Sequence, residues 1–596
     1  MLTEGDPRGR LLVGGRARPE PTGQGATKAL VRTRQYATCY SLAAAPATSP
    51  MRSFALPLLP LLLLLPWLNP FAGGPSAAVI PWLVSLGCAS VFVLLVADRR
   101  VDAPQVAATS WLCAAVISSL MAMLQYFDAT AAFSPWINGT QVGEAFANLR
   151  QRNQFATLTN IGLVALLWWA TRRNGSAAQR LAQASDNLGE ARLAPGATDM
   201  LPTLSGMPTA PWIAMAWSVP AAALLAIGNA ASSSRTGMVQ LLLLCLLYLF
   251  WGGLRDATVR RLLLAAVLAY CAAAYALPRL AGLDPANAGI MARIHEGAPA
   301  CFSRVTLWGN VLHLIAQKPW TGWGWGELDY AHFMTLYPGA RFCDILDNAH
   351  NLPLHMAVEL GLPVAVPLCA LLLWQLWHAK PWQETDLARR MAWAVLALIG
   401  LHSMLEYPLW YGPFQIAAVL CCWLLWRPGQ PMPVAADDMA PKSGRPAASA
   451  AGQARIPLLA CALAAMLWVG YALWDYHRIS QIYLDPEARS SAYSENTLDH
   501  VRRSRLYREH VLFAELTTTQ VTPDNAQRVH ELAAELLHFS PEARVAEKLI
   551  DSARLLGREE QAHAIMERYR AAFPAEYALW AKEKSTPAAS ASAGLP

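Results

Sequence analysis

The stretch "CDILDNAHNLPLHMAVELGLP", residues 343–363, sets an acidic, imidazole-bearing cluster against the start of an apolar run. Asp344, Asp347, Asn348, His350 and Asn351 precede the run, which begins near Leu352. Asn351 is suited to cap a helix there, with Pro353 in the first turn, where a missing N–H costs little. The free N–H groups and positive dipole end of such a helix draw anions. The surrounding chain is apolar too. Of 596 residues, 55% are hydrophobic and 15% charged, and the mean hydropathy is +0.26, which excludes an ordinary soluble domain.

A bilayer core needs about 20 apolar residues per helix. Eleven segments qualify, at 53–69, 76–97, 105–127, 154–171, 210–229, 236–252, 260–280, 352–377, 387–405, 410–426 and 456–474. Several end in aromatic clusters such as "LLWWA" and "CCWLLW", as an interfacial belt requires. Every second loop is basic: Arg99 and Arg100; Arg172, Arg173 and Arg180; Arg255, Arg260 and Arg261; Lys380, Arg389 and Arg390; Arg427, Lys442, Arg445 and Arg455. The intervening short loops carry almost no cations apart from Arg150, Arg152 and Arg235. The basic set is therefore expected on the cytoplasmic side and the carboxy terminus outside. The net charge of +6 is this asymmetry spread over separate loops, which gives no support to nucleic-acid binding.

The expected fold is an all-α polytopic membrane protein of about eleven transmembrane helices. Residues 1–50 are Gly-, Pro- and Arg-rich without apolar periodicity, so they read as a disordered or mis-annotated extension, with Met51 as a candidate start. Helices 1–7 occupy 51–280, a large external loop 281–351, helices 8–11 residues 352–474, and an external helical domain 475–596. In that last region "NAQRVHELAAELL", "EARVAEKLIDSARLL" and "REEQAHAIMERYRAAF" carry apolar residues at helical spacing. They fit either a tetratricopeptide-like hairpin array or a small bundle, in both cases a module for protein contact. Residues 428–455 read as a cytoplasmic linker. Cys301 and Cys343 alone among the eleven cysteines fall in an external loop. An oxidising exterior favours a disulfide between them, worth about 3–4 kcal/mol in the chain-entropy view.

Ionisable groups that are not cytoplasmic anchors collect on the outer side. They are Arg150 and Arg152 in "NLRQRNQF", Arg235 in "NAASSSRTGM", Arg304 in "CFSRVTLWGNVLHLI", His350, and Glu406 with Tyr407 in "HSMLEYPLWYG". A guanidinium suits a phosphate or diphosphate; headgroup contact is the alternative. Other signals are weak. "GWGWGE" lacks the strand–turn–helix setting of a dinucleotide fingerprint. His350 and His355 are five apart, not the four that align two metal ligands, so no metal site is read. No nucleophile elbow is present.

These residues resemble the O-antigen ligase and polymerase superfamily. "NAHNLPLHMAVELGLP" resembles its Ala-His-Asn element followed by a Glu-Leu-Gly turn, with ten residues between His350 and Gly361. "KPWTGWGWGEL" resembles its Pro-x-x-Gly-x-Gly-x-Gly stretch, and "SRVTLW" and "SSSRTG" its two arginine elements, although Gly237 follows Arg235 by only two. "GEAFANLRQRNQFAT" and "RYRAAFPAEYALW" are similar to bacterial protein O-oligosaccharyltransferases. The resemblance implies transfer of a preassembled oligosaccharide from an undecaprenyl-diphosphate carrier to Ser or Thr of a periplasmic, pilin-like acceptor protein. It implies no cofactor, a bacterial inner-membrane location amid membrane lipids, and a periplasmic active site. In that reading His350 is the general base, Asp347 orients its ring, and Arg235, Arg304, Arg150 and Arg152 bind the diphosphate. Ligation to lipid A core, or O-antigen polymerisation, is the same chemistry on another acceptor. A lipid-linked glycan transporter ranks behind both, because its charges belong near the bilayer midplane. Deleting residues 1–50 is expected to leave transfer intact; a truncated chain that inserts normally but transfers no glycan overturns this.

Overall fold

The computed structural model describes residues 50–97, 101–192, 211–284, 288–295, 300–426 and 447–585. The extension 1–49, most of the 428–455 linker, and Arg99, Arg100, Arg427, Lys442 and Arg445 lie outside the described residues. Among the described residues every regular element is a helix. All eleven apolar segments fall on helices: α1 (Pro50–Leu68), α2 (Val79–Val96), α3 (Ala103–Tyr126), α4 (Arg152–Arg192), α5 (Pro211–Ala231), α6 (Arg235–Phe250), α7 (Ala257–Leu280), then, beyond the large loop, α11 (Leu352–Leu360) with α12 (Leu362–Ala379), α13 (Leu387–Ser403), α14 (Gly412–Trp426) and α15 (Ala447–Ser480).

Five stretches, Val79–Val96, Ala103–Tyr126, Ala257–Leu280, Leu362–Gln383 and Arg455–Tyr483, are long and apolar enough to cross a bilayer, and four shorter helices are apolar as well. The chain is a multi-pass membrane protein. Its helices exceed the apolar runs at both α4 and α15, because hydropathy marks the limit of lipid contact, whereas "RRNGSAAQRLAQ" and its like are simply compatible with continued helix. The centre of the bundle is α4, whose stretch from Phe155 to Leu167 is buried throughout, packed by α3, α5, α6 and α13.

The eighth segment departs from expectation. It is two helices broken at Gly361, whose φ of +81° is a conformation that suits glycine. The break is filled by the chain around "TGWGWG". Trp323 and Gly324 donate their N–H groups to the carbonyls of Val358 (2.9 Å) and Glu359 (3.0 Å), and Leu362 donates to the carbonyl of Pro319 (2.8 Å). Backbone groups freed by the interrupted helix are thus satisfied, as an apolar surrounding demands.

The large loop folds into α8 (Gly289–His295), α9 (Arg304–Gln317) and α10 (Leu328–Met334). Leu307, Val311, Leu314, Leu328, Ala331 and Leu346 form a core that continues into Ala357 and Val358 of α11. Beyond α15 come α16 (Thr497–Val501), α17 (Arg508–Thr518), α18 (Ala526–Phe539), α19 (Ala543–Leu555), α20 (Glu559–Ala572) and α21 (Pro574–Ser585). From α17 onward each packs on the next, with α17 also meeting α19 and α19 meeting α21. This domain is tied to the bundle where buried Asp475, near the end of α15, accepts from Ser504 Oγ (2.8 Å) and Leu506 N–H (3.3 Å). The Tyr476 hydroxyl next to it donates to the Ser76 carbonyl (2.7 Å) and accepts from the Ser76 N–H (2.9 Å).

A Cβ on Gly361 would stand 2.6 Å from the Trp320 carbonyl oxygen, whereas one on Gly400 of α13 meets nothing within 4 Å. Gly361→Ala is expected to destabilise the detergent-solubilised protein by on the order of 1–3 kcal/mol, and Gly400→Ala to leave it within about 0.5 kcal/mol. Thermal unfolding of the two variants side by side checks this.

Candidate active site

The helix-capping reading of "NAHNLP" holds in detail. Asn351 Oδ1 accepts from the Leu354 N–H (3.1 Å), and its amide donates to the Met404 carbonyl (3.1 Å), fastening the start of α11 to the end of α13. His350 sits before this cap at φ +50°, its N–H donated to Asn348 Oδ1 (2.9 Å). That left-handed position turns the ring back toward the end of α13.

There it meets Glu406. The carboxylate is 5% exposed and is shared by three parts of the chain. His350 Nδ1 lies 2.6 Å from Oε2, and Arg304, the first residue of α9, pairs with Oε1. Gln151 and Asn153, at the start of α4, donate to Oε2 (3.2 Å) and Oε1 (3.0 Å). Burial alone would raise the carboxyl's pKa. The His350 hydrogen bond and the charges of His350 and Arg304 outweigh it and hold Glu406 below its ordinary value. The edge of the His350 ring contact is closed by Tyr407, whose ring centroid lies 5.0 Å away.

On the Arg304 side of Glu406 opens a cavity of about 280 Å³ lined by Asn153, Arg235, Thr236, Arg293, Arg304 and Glu406. Arg235 and Thr236 are the first residues of α6, so the positive end of that helix dipole faces the same space. Ser234, the α6 cap, donates its hydroxyl to Asn153 Oδ1 at 2.5 Å, so the cavity wall and the carboxylate hang from one asparagine. Partial burial, and then the charges of Arg152 and Arg235, lower the pKa of Arg293. Cations crowded around an open space form a receptor for an anion with several oxygens.

The four arginines of the sequence reading therefore separate. Arg235 and Arg304 line the cavity. Arg150 spends its guanidinium on the backbone carbonyls of Asn148 and Pro70, and Arg152 pairs with Glu144. Cys301 and Cys343 are joined, with Cα atoms 5.3 Å apart, which links the chain just before Arg304 to the chain just before His350. Asp347 is exposed, and the ring contact that the sequence reading assigns to it is made by Glu406.

Three protein families match successive parts of the chain. They are described as a protein glycosylation ligase (residues 145–170), an O-antigen ligase (220–369) and the C-terminal part of a virulence factor membrane-bound polymerase (390–587). Each carries a piece of the site: Gln151 and Asn153 in the first, Arg235, Arg293, Arg304 and His350 in the second, Glu406 in the third. In these parts the chain is similar to the O-antigen ligase superfamily and to its protein-glycosylating branch. It is 24% identical over 312 residues, 51% of its length and 47% of the relative's, to a general O-oligosaccharyltransferase of Acinetobacter baylyi. It is 25% identical over 203 residues, 33% of its length and 35% of the relative's, to a ComP-specific O-oligosaccharyltransferase of the same organism. The chain thus spans about half or less of the curated relatives it matches. No solved structure matches it.

Arg293, Gln151 and Asn153 join the site without a sequence signal that names them, and Glu406 is legible only as an outer-side acid, not as the hub of the site. Glu406 stands out as an acid at the end of a span but offers no sign of its partners, which lie 56, 102, 253 and 255 positions away. Arg293, in "AGIMARIH", met the same criterion as Arg235, a cation on the side lacking basic anchors, and was simply not singled out. If the three cavity arginines form an anion receptor, inorganic diphosphate should raise the melting temperature of the purified protein. Arg293→Gln should abolish that rise while leaving the ligand-free melting temperature within a few degrees; an unchanged rise assigns Arg293 elsewhere.

Proposed function

We propose that the protein transfers a preassembled oligosaccharide en bloc from undecaprenyl diphosphate to Ser or Thr hydroxyls of periplasmic proteins such as pilin. In this reading it lies in a bacterial inner membrane, with the loop and the tetratricopeptide-like C-terminal domain facing the periplasm. The observation that carries it is a single buried carboxylate, Glu406, joining a basic cavity to a histidine that reaches solvent.

The chemistry divides along that carboxylate. The donor's diphosphate occupies the cavity between Arg235, Arg293, Arg304 and the start of α6. As the bond from the anomeric carbon to the diphosphate oxygen breaks, negative charge accumulates on the leaving group, and fixed guanidinium donors stabilise the transition state more than the ground state. On the other side, the acceptor hydroxyl needs a base in hydrogen-bond reach of its proton. Nδ1 of His350 is occupied by Glu406, which leaves Nε2 to take that proton. Glu406 then stabilises the imidazolium as it forms. The new bond joins the acceptor oxygen to the anomeric carbon, and polyprenyl diphosphate departs. The relatives' printed activity, O-oligosaccharide transfer, supports this assignment. So does the external helical domain, whose helix array offers a surface for protein contact.

The deciding measurement is transfer by the purified protein with lipid-linked oligosaccharide and candidate acceptor proteins. His350→Ala, expressed at equal level, should still bind the lipid donor yet lose at least about a hundredfold in rate, and Asp347→Ala should lose less. Arg235→Lys and Arg304→Lys should substitute poorly, because an ammonium cannot make the bidentate contact. Near wild-type transfer by His350→Ala removes the base from this position, and full activity of both lysine variants reassigns the arginines to headgroup contact.

A further inference from the structure

The short helix α10 is a part of the large loop that meets the C-terminal domain. Phe333 is 2% exposed and belongs to that domain's core, with Leu516, Val529 and Leu536, its ring 6.3 Å from that of Phe573. Tyr330 stacks on His538 at 3.7 Å, and His538 Nδ1 lies 2.7 Å from Glu327 Oε2. Arg568 Nε donates to the Met334 carbonyl at 2.8 Å. Immediately before α10 runs the turn that closes the broken end of α11 through Trp323 and Gly324. That turn carries positive φ at Gly322, Gly324 and Gly326. Three such glycines lose more backbone freedom on ordering than other residues do, so the turn holds its shape only if both ends are fixed. One end is fixed by α9. The other is α10, which Leu328 and Ala331 hold on one side to the loop's own core and which Phe333, Tyr330 and the Met334 carbonyl hold on the other side to the C-terminal domain. A helix the length of α11, nine residues, does not maintain itself without such support.

We infer that the C-terminal domain positions the catalytic histidine, acting through Phe333, α10 and the glycine turn on α11, and is not solely a landing surface for the acceptor. Phe333 is then a positioning residue. The inference rests on the transfer reading above for its kinetic consequence but not for its structural one. A base displaced by about 1 Å loses up to a hundredfold in rate, and the displacement affects every acceptor alike.

The test uses the full chain with Phe333→Ala and Phe333→Leu. In hydrogen exchange, Phe333→Ala should speed exchange at residues 322–326 and 352–361, which do not belong to the domain, and Phe333→Leu should restore protection. In transfer, Phe333→Ala should lower kcat by about tenfold or more for a protein acceptor and for a short Ser-containing peptide equally, with KM for each unchanged. A raised KM for the protein acceptor with kcat intact would assign the domain to recruitment alone and overturn the inference. So would faster exchange confined to α10 and residues 508–585. Should the wild type transfer glycan to no acceptor, the reading of function fails, and the exchange pattern still decides this inference. If Phe333→Ala does not fold, His538→Gln, at the domain's rim, goes through the same measurements.

Discussion

A carboxylate taken out of water is costly unless it is paired and hydrogen-bonded, and Glu406 is the place where this chain meets that requirement with four partners from three regions. Arg304 comes with the large loop, His350 with the break between loop and bundle, and Gln151 and Asn153 with the start of α4. All three regions converge on this one side chain. Removing the charge would leave Arg304 and the histidine without their common partner. The same carboxylate that satisfies the burial constraint therefore sets the distance between Arg304 and His350.

The ordering of the loop follows from this and from two further ties. Trp308 Nε1 donates to the Ala349 carbonyl at 3.1 Å, and the Cys301–Cys343 link holds the chain entering α9 beside the chain entering the histidine turn. Each tie acts between segments that are far apart in sequence and adjacent in the site. The core of the loop, Leu307 to Leu346 with Ala357 and Val358, supplies the apolar burial that makes these polar contacts geometrically reproducible.

Much of this was legible in the sequence, and the illegible part has a physical reason. Apolar runs of membrane length marked the helices, because lipid imposes composition on whatever faces it. His350 and Asn351 were legible because a cap and its neighbour are local. The break at Gly361 was legible only through the resemblance, as a Glu-Leu-Gly turn, since the run stays apolar on both sides of it and hydropathy is blind to φ. The division among the arginines was not legible. Arg150 and Arg235 look alike as letters, yet one is consumed by the carbonyls of Asn148 and Pro70 and the other faces an open cavity. Only the fold decides which guanidinium has neighbours to spend itself on. Asp347 and Glu406 illustrate the same limit: the nearer acid in sequence is the farther in contact.

The interruption at Gly361 also has a consequence for how this segment tolerates change. Before it, α11 buries His355, Ala357, Val358 and Glu359 against protein. After it, α12 buries only Ala365 and turns Leu371, Leu372, Leu373 and Trp377 outward. The first half is therefore constrained by the volume and shape of fixed neighbours, the second only by solubility in a fluid of hydrocarbon chains. One continuous apolar run obeys two substitution rules. An exchange of one aliphatic residue for another that passes unnoticed at Leu372 is a packing defect at Val358, and the boundary between the two regimes is a single glycine.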